Sequence, residues 1–357
     1  MSTRAAYDKT GSMRESPFVS IIMPCLQERK HIETVLDTVV AQDYPRDRLD
    51  VLVVDGMSKD GTREVVREFS LRYPFIRLLD NPRRNTPAAL NIGVQNARGE
   101  VIVRMDAHTT YQTNYVTEAV RALSETGADI VGGICKTVPE RNSVFGWAIA
   151  LALSHPFGVG NAYYKIGHPT ERTQVDSVPF GCYRKEIFEQ IGMFDESVPR
   201  NEDTDFYRRV RAAGGQIVLA PSIVCYYRAR SGFRTFSRHI MHNGFIVTYF
   251  LKSGKIQFFY RHLVPLAFVF TVMLSAGLAA LHPFFLWLLI AVLSTYFLTN
   301  LGISFRIAIN QRRFRYLALL PIVFTVLHWS YGLGSLFGLM RALTSAVLWR
   351  RLSTRAR

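Results

Sequence analysis

The chain has 357 residues and is 48% hydrophobic, which excludes a disordered or low-complexity polypeptide and allows one large domain or two ordinary ones. Lys and Arg outnumber Asp and Glu by 43 to 28, a net charge of +15, so an anionic partner is expected: nucleic acid, a phosphorylated ligand or an anionic membrane surface. The four cysteines, Cys25, Cys135, Cys182 and Cys225, lack C-x-x-C spacing, which argues against a structural zinc site or a disulfide framework and for reduced thiols.

Residues 1–17 form a polar tail without the apolar run of a cleavable signal peptide. Short apolar runs then follow at 19–25 (VSIIMPC), 49–54 (LDVLVV), 75–79, 101–105 (VIVRM) and 129–134 (DIVGGI). Between them, residues 30–41 place Ile32, Val35, Leu36, Val39 and Val40 on one helical face, and 62–73 and 87–97 do so more loosely. Strand and helix alternating at this spacing predict a parallel sheet with crossover helices, whose ligands bind beyond the carboxyl ends of the strands.

Two polar groups fall at such ends, and a third opens a helix further on. Asp55 closes the second strand in VDGMSKDGT, and Ser58 or Asp60 is placed to cap the helix that starts near Thr62. After the fourth strand, Asp106 and His108 share one side of an extended segment; ligands at i and i+2 suit a divalent cation, although a plain surface turn gives the same pattern. Asn201-Glu202-Asp203-Thr204-Asp205 opens an amphipathic helix, where acidic residues also suit the helix dipole.

Taken in order, VSIIMPCLQE, VVDGMSKDGT, TPAALNIGV, ARGEVIVRMDAH, PFGCYRKEIFEQIGMFDE and EDTDFYRRVRAAG resemble the family-2 inverting glycosyltransferases of GT-A fold. Within that family the wording is most similar to the membrane-anchored glucosyltransferases of succinoglycan-type exopolysaccharide assembly. The resemblance implies an α/β fold: a GT-A, Rossmann-like, mostly parallel sheet in a cytoplasmic domain, followed by C-terminal transmembrane helices. It implies that Pro24, Glu28 and Asp55 hold the nucleoside, Asp55 accepting the uracil imide hydrogen, and that Asp106 faces the nucleotide. Arg84, in NPRRN, is a candidate nucleotide contact or a solvated loop arginine. The family's metal motif is Asp-x-Asp; Asp106-Ala107-His108 departs from it at the last position, where histidine still suits Mn²⁺ better than Mg²⁺ as the divalent cofactor.

By the same resemblance Glu202-Asp203 is the family's acidic pair. Asp203 becomes the general base that deprotonates the acceptor hydroxyl, and a single displacement then inverts the anomeric centre. Asp205 is expected to be structural, capping the helix or pairing with Arg208 or Arg209. Gly181 and Cys182 line the acceptor side, Cys182 as a small packing residue, because no covalent intermediate is required. Arg238 and His239, in RTFSRHIMHNG, match a basic helix that steadies the diphosphate or lies on anionic headgroups.

The C-terminal third is greasy. Residues 262–281 and 284–303 are each about 20 apolar residues, enough to span a ~30 Å hydrocarbon layer, and a third stretch at 317–340 is interrupted by Pro321, Gly332, Gly334 and Gly338. Arg306, Arg312, Arg313 and Arg315 between the second and third stretches, with Lys252, Lys255 and Arg261 before the first, place the catalytic domain in the cytoplasm by the positive-inside rule. If the third stretch spans, the tail with Arg341, Arg350, Arg351, Arg355 and Arg357 lies outside against that rule, so a re-entrant segment stands as the alternative.

The expected division is thus a tail (1–17), a glycosyltransferase domain (18–230), a basic interface segment (231–261), a membrane domain (262–343) and a basic tail (344–357) in the inner membrane. Expected partners are a UDP-sugar, a lipid-linked saccharide or polyprenyl acceptor, membrane lipids and other polysaccharide assembly proteins, but not nucleic acid. Three other classes compete. A nucleotidyltransferase needs a Gly-rich phosphate loop, which VSIIMPCLQE lacks. A degenerate scaffold is favoured only by His108, and a processive synthase needs more spans and a Gln-x-x-Arg-Trp motif that is absent.

Overall fold

The computed structural model describes residues 16–167, 170–198, 201–251 and 260–344. Most of the 1–17 tail, Lys252, Lys255, and the tail arginines from Arg350 onward lie outside the described residues. The chain divides into two compact units, one of residues 1–136 with 163–227 and one of 137–162 with 228–357. Residues 137–162, inside the stretch 18–230, therefore group with the C-terminal part of the chain.

In the first unit the strands are β1 (Val19–Cys25), β2 (Leu49–Asp55), β3 (Ile76–Asp80), β4 (Val101–Arg104), β5 (Thr109–Tyr111), β6 (Ile130–Pro139), β7 (Thr173–Gln174), β8 (Cys182–Arg184) and β9 (Ile217–Ala229), the last residues of β6 and β9 passing into the second unit. Helices α1 (Ile32–Val40), α2 (Thr62–Arg72), α3 (Thr86–Asn96) and α4 (Tyr115–Thr126) connect them; α5 (Val144–Leu153) and α6 (Pro156–Val159) belong to the second unit, and α7 (Tyr163–Ile166), α8 (Glu186–Ile191) and α9 (Glu202–Ala212) to the first.

Among the described residues the strands make one sheet in the order β3-β2-β1-β4-β8-β6-β9-β5, with β7 beside β9. Strands β3, β2, β1 and β4 are mutually parallel, whereas β8 runs antiparallel to both β4 and β6, and β5 and β7 antiparallel to β9. The sheet is therefore mixed, and the expectation of a mostly parallel one is corrected: it holds only for the first four strands. The cause is β8, three residues that wedge between β4 and β6, too short to carry a periodic signal.

Alternation along the strands splits the core in two. Val19, Ile21 and Met23 of β1 and Val51 and Val53 of β2 face one side, where they pack with α1, α2 and α4. Ile22, Leu52 and Val54 face the other, with α3, α8 and α9. This is a helix–sheet–helix sandwich with its parallel strand ends aligned on one rim.

The second unit adds α10 (Phe233–Tyr249), α11 (Tyr260–Leu278), α12 (Pro283–Asn310) and α13 (Arg315–Thr344). Helices α11, α12 and α13 are long and apolar enough to cross a membrane. Their surface is inverted relative to a soluble bundle: Phe284, Trp287, Phe297 and Phe305 are exposed, while Asn300, Ser304, His328 and Ser335 are buried. That is the arrangement a bilayer demands, since lipid solvates the apolar face and polar groups must be satisfied inside. Asn300 Nδ2 donates to the Pro321 carbonyl at 3.0 Å, and His328 joins Tyr296 Oη (3.0 Å) to the Phe157 carbonyl (2.8 Å). The chain is a multi-pass membrane protein, and the arginines that follow α12 agree with a catalytic domain on the cytoplasmic side.

Helix α13 runs unbroken through the proline and glycines that interrupt the pattern in the sequence. Those glycines are contact points. A Cβ on Gly334 would stand 2.0 Å from the Met241 carbonyl of α10, and one on Gly338 would stand 2.3 Å from the Phe245 carbonyl. Small residues let apolar helices close to backbone contact, so they mark packing where they suggest a break.

Candidate active site

The loops that leave β1, β2, β3 and β4 share the rim where parallel strands end. The first two are zipped together: Gln27 N–H donates to Ser58 Oγ (2.8 Å), Glu28 N–H to Thr62 Oγ1 (2.9 Å), Arg29 N–H to Asp60 Oδ2 (3.1 Å) and Gly56 N–H to the Cys25 carbonyl (2.8 Å). Asp60, not Ser58, serves the start of α2, accepting from Thr62 N–H at 3.1 Å. Pro24 is half-buried in β1 opposite Val54. Exposed Leu26, Met57 and Arg84 sit at the loop tips, with Arg84 in a left-handed turn (φ 56°).

Asp55 is wholly covered. Its Oδ1 accepts from Ser58 Oγ (2.6 Å), and its Oδ2 accepts from Ser58 N–H (2.8 Å) and Arg63 Nη1 (2.9 Å). Arg63 also reaches Asp80 Oδ1 through Nη2 at 2.7 Å. Arg63 is not among the residues singled out in the sequence, although it carries a signal: a cation in the first turn of a helix opposes the dipole and calls for acidic neighbours.

Arg104 organises the far side of the rim. Its Nε and Nη2 fork onto Asp106 Oδ1 (2.9 Å) and Oδ2 (3.3 Å), while Nη1 donates to Glu202 Oε1 at 2.8 Å. One buried guanidinium thus ties the Asp-x-His segment after β4 to the acidic start of α9. Burial lifts the Glu202 carboxyl above its ordinary range, and Asp203 and Asp106 push the same way against the pull of Arg104. Tyr111 fixes the turn, its Oη 2.6 Å from Asp106 N. The sequence signal for Arg104 was an arginine closing an otherwise buried strand.

His108 is partly exposed, its Nδ1 lying 3.3 Å from Glu28 Oε1 and its ring edge-on to Tyr227 with centroids 5.8 Å apart. Burial alone would lower its pKa; the hydrogen bond to Glu28 and the charges of Asp106 and Glu28 outweigh it and hold the ring above 6.5. Among the described residues no cluster of three or more His, Cys, Asp or Glu side chains is placed to hold a metal. Asp106 and His108 keep lone pairs of the kind a cation takes. The fork from Arg104 takes two of a carboxylate's roughly four accepting positions, and His108 keeps Nε2.

Asp203 lies in the first turn of α9, half-buried, with Oδ1 accepting from Thr204 N–H at 2.8 Å. Asp205 is buried and paired with both Arg208 and Arg209 at 2.9 Å each, a structural role. A Cβ on Gly181 would meet the hydroxyls of Tyr183 (2.7 Å) and Tyr207 (2.9 Å), so a side chain is excluded there. Cys182 is buried in β8 and burial pushes its thiol up, which suits packing and not nucleophilic attack. Arg238 and His239 lie on α10, in the second unit.

Comparison with known proteins bears on the family and the fold. Residues 20–192 match the family described as Glycosyl transferase family 2. Succinoglycan biosynthesis protein ExoA of Rhizobium meliloti is 34% identical over 217 residues; the match spans 59% of this chain and 63% of that relative, less than two thirds of its length. Glycosyltransferase AglE of Haloferax volcanii is 26% identical over 223 residues, 60% of this chain and 68% of the relative. Among solved structures, the mannosyltransferase PcManGT from Pyrobaculum calidifontis, in complex with GDP-Man and Mn²⁺, is 21% identical with a TM-score of 0.60, covering 93% of this chain and 88% of that one. That likeness speaks for the fold. Residues 20–192 are thus similar to the family-2 glycosyltransferases, succinoglycan-type enzymes among the relatives, and the chain shares the fold of the mannosyltransferase.

Proposed function

We propose that the protein is an inverting glycosyltransferase that moves a sugar from a nucleotide sugar, UDP-glucose, to a lipid-linked saccharide or polyprenyl carrier in exopolysaccharide or cell-envelope glycan synthesis. The observation that carries this reading is the Arg104 bridge. It couples Asp106, on the nucleotide side, to Glu202 and hence to Asp203 beside it. Asp203 takes the acceptor hydroxyl proton while Thr204 N–H fixes its other oxygen. The attack comes from the face opposite the leaving nucleotide, and the sugar is inverted. Glu202 and Arg104 hold the base in register.

On the nucleotide side, Leu26, Met57 and Arg84 offer an apolar and cationic rim to the nucleoside. For Asp55 to accept the uracil imide hydrogen, Arg63 must turn fully toward Asp80, which it already holds. A divalent cation, as in the Mn²⁺ complex of PcManGT, would be held by Asp106 and His108 and would neutralise the departing diphosphate. The membrane helices support a lipid-borne acceptor. Arg238 and His239 are assigned to the diphosphate or to headgroups, and other assembly proteins remain part of the proposal. Incubating full-length protein with labelled UDP-, GDP- and dTDP-sugars and a lipid extract tests this: label from UDP-glucose enters the lipid fraction. Transfer from another donor alone would overturn the UDP-glucose assignment.

A further inference from the structure

We propose that Glu28 is a positioning residue for the cation site: its carboxylate holds the Nδ1 side of His108, so that the ring presents Nε2 as a ligand and the Glu28–His108 pair stands in for the second aspartate of the Asp-x-Asp pattern. The inference rests on the reading of Asp106 and His108 as cation ligands. It differs from the nucleoside role that resemblance assigns to Glu28.

The placement follows from topology. Strands β1 and β4 are parallel neighbours, with Ile22 opposite Arg104, so the segments after them emerge side by side. The backbone of Glu28 is pinned on both sides. Its N–H donates to Thr62 Oγ1 at 2.9 Å, and its carbonyl accepts from the N–H groups of His31 and Ile32, each at 2.9 Å. The carboxylate therefore projects from a fixed point and meets His108 Nδ1 at 3.3 Å. Tyr227 closes another side of the ring.

An imidazole binds a cation only through an unprotonated nitrogen. A carboxylate on the Nδ1 side selects the tautomer with the lone pair on Nε2, fixes the ring plane and strengthens the donor. Charge gives a second argument. Two aspartates bring two negative charges to a cation, whereas Asp106 and His108 bring one; Glu28 restores the count. Histidine is tolerated at position 108 because a carboxylate from the neighbouring strand's loop backs it.

The test uses full-length protein in detergent, with Mn²⁺ binding read by electron paramagnetic resonance in the presence of UDP or GDP. Glu28→Gln should weaken Mn²⁺ binding about 10–100-fold, the usual cost of losing such a partner. In a His108→Asp background the same change should cost less than about twofold, because no ring remains to orient. An unchanged Mn²⁺ affinity in Glu28→Gln, with Asp106→Ala still abolishing binding, overturns the inference and leaves the glycosyltransferase reading standing. Equal losses in both backgrounds also overturn it, by showing that Glu28 acts on the nucleotide or the loop directly. Failure of the parent to bind Mn²⁺ with either nucleotide would sink the cation-site reading itself. Matched thermal unfolding of the variants keeps folding out of the comparison.

Discussion

Arg104 and Glu202 stand 98 positions apart in the chain and meet through a 2.8 Å hydrogen bond, their side chains only 10% and 6% exposed. The same guanidinium grips Asp106. Removing one member of such a group leaves buried charge without compensation, which costs about 3–5 kcal/mol. Arg104→Met should therefore lower thermal stability and nucleotide affinity together. Adding Glu202→Gln should recover part of the stability, because the double change leaves one fewer unpaired carboxylate. Strictly additive losses in calorimetry would show that the two residues do not work as a pair.

Asp55→Ala leaves Ser58 without its carboxylate and cuts Arg63 loose from the end of β2. The loop that follows β2 should loosen, and UDP affinity should fall about ten- to a hundredfold, the equivalent of one charged hydrogen bond at roughly 1.5–3 kcal/mol. Titration calorimetry with UDP reads this directly. An unchanged affinity would remove the loop from the nucleoside site.

His108 supplies a pH signature in metal-free protein. Glu28 and Asp106 hold its folded-state pKa above the 6.5 of the unfolded chain, against the effect of burial. A raised folded pKa adds stability that is fully present below about 6.5 and is lost as pH rises through the higher folded value. The melting temperature of the parent should exceed that of His108→Asn most at acid pH, and the gap should close on the alkaline side. A gap that widens with rising pH contradicts the Glu28–His108 contact.

Gly338→Val would drive a side chain into the Phe245 carbonyl and Thr248 Oγ1, each 2.3 Å from the added Cβ. Forcing α10 off α13 should cost about 1–3 kcal/mol, the range for overpacking. Thermal unfolding in detergent should show the loss, whereas Gly277→Ala, with open space around its Cβ, should be neutral. Equal melting of both variants would mean that α10 does not pack along α13.

What could be read in the chain and what could not follows sequence separation. The pairing of Asp205 with Arg208 and Arg209 was legible because residues three and four apart on a helix face one another. The first four strands were legible because two-residue alternation and buried runs leave a local trace. The bridge from Arg104 to Glu202 left none, since it depends on where β4 and α9 end in space. Strand β8 is three residues long, and its insertion turned a parallel expectation into a mixed sheet. In α13 the glycines suggested interruption, because nothing local distinguishes a break from a helix contact.

The catalytic reading stands or falls on the stereochemistry of transfer. NMR of the product formed from an α-linked UDP-sugar should show a β-anomer. Asp203→Asn should lower the rate about 10²–10⁴-fold while UDP binding is retained. An α-linked product, or an Asp203→Asn rate within about threefold of the parent, would contradict a single displacement with Asp203 as its base.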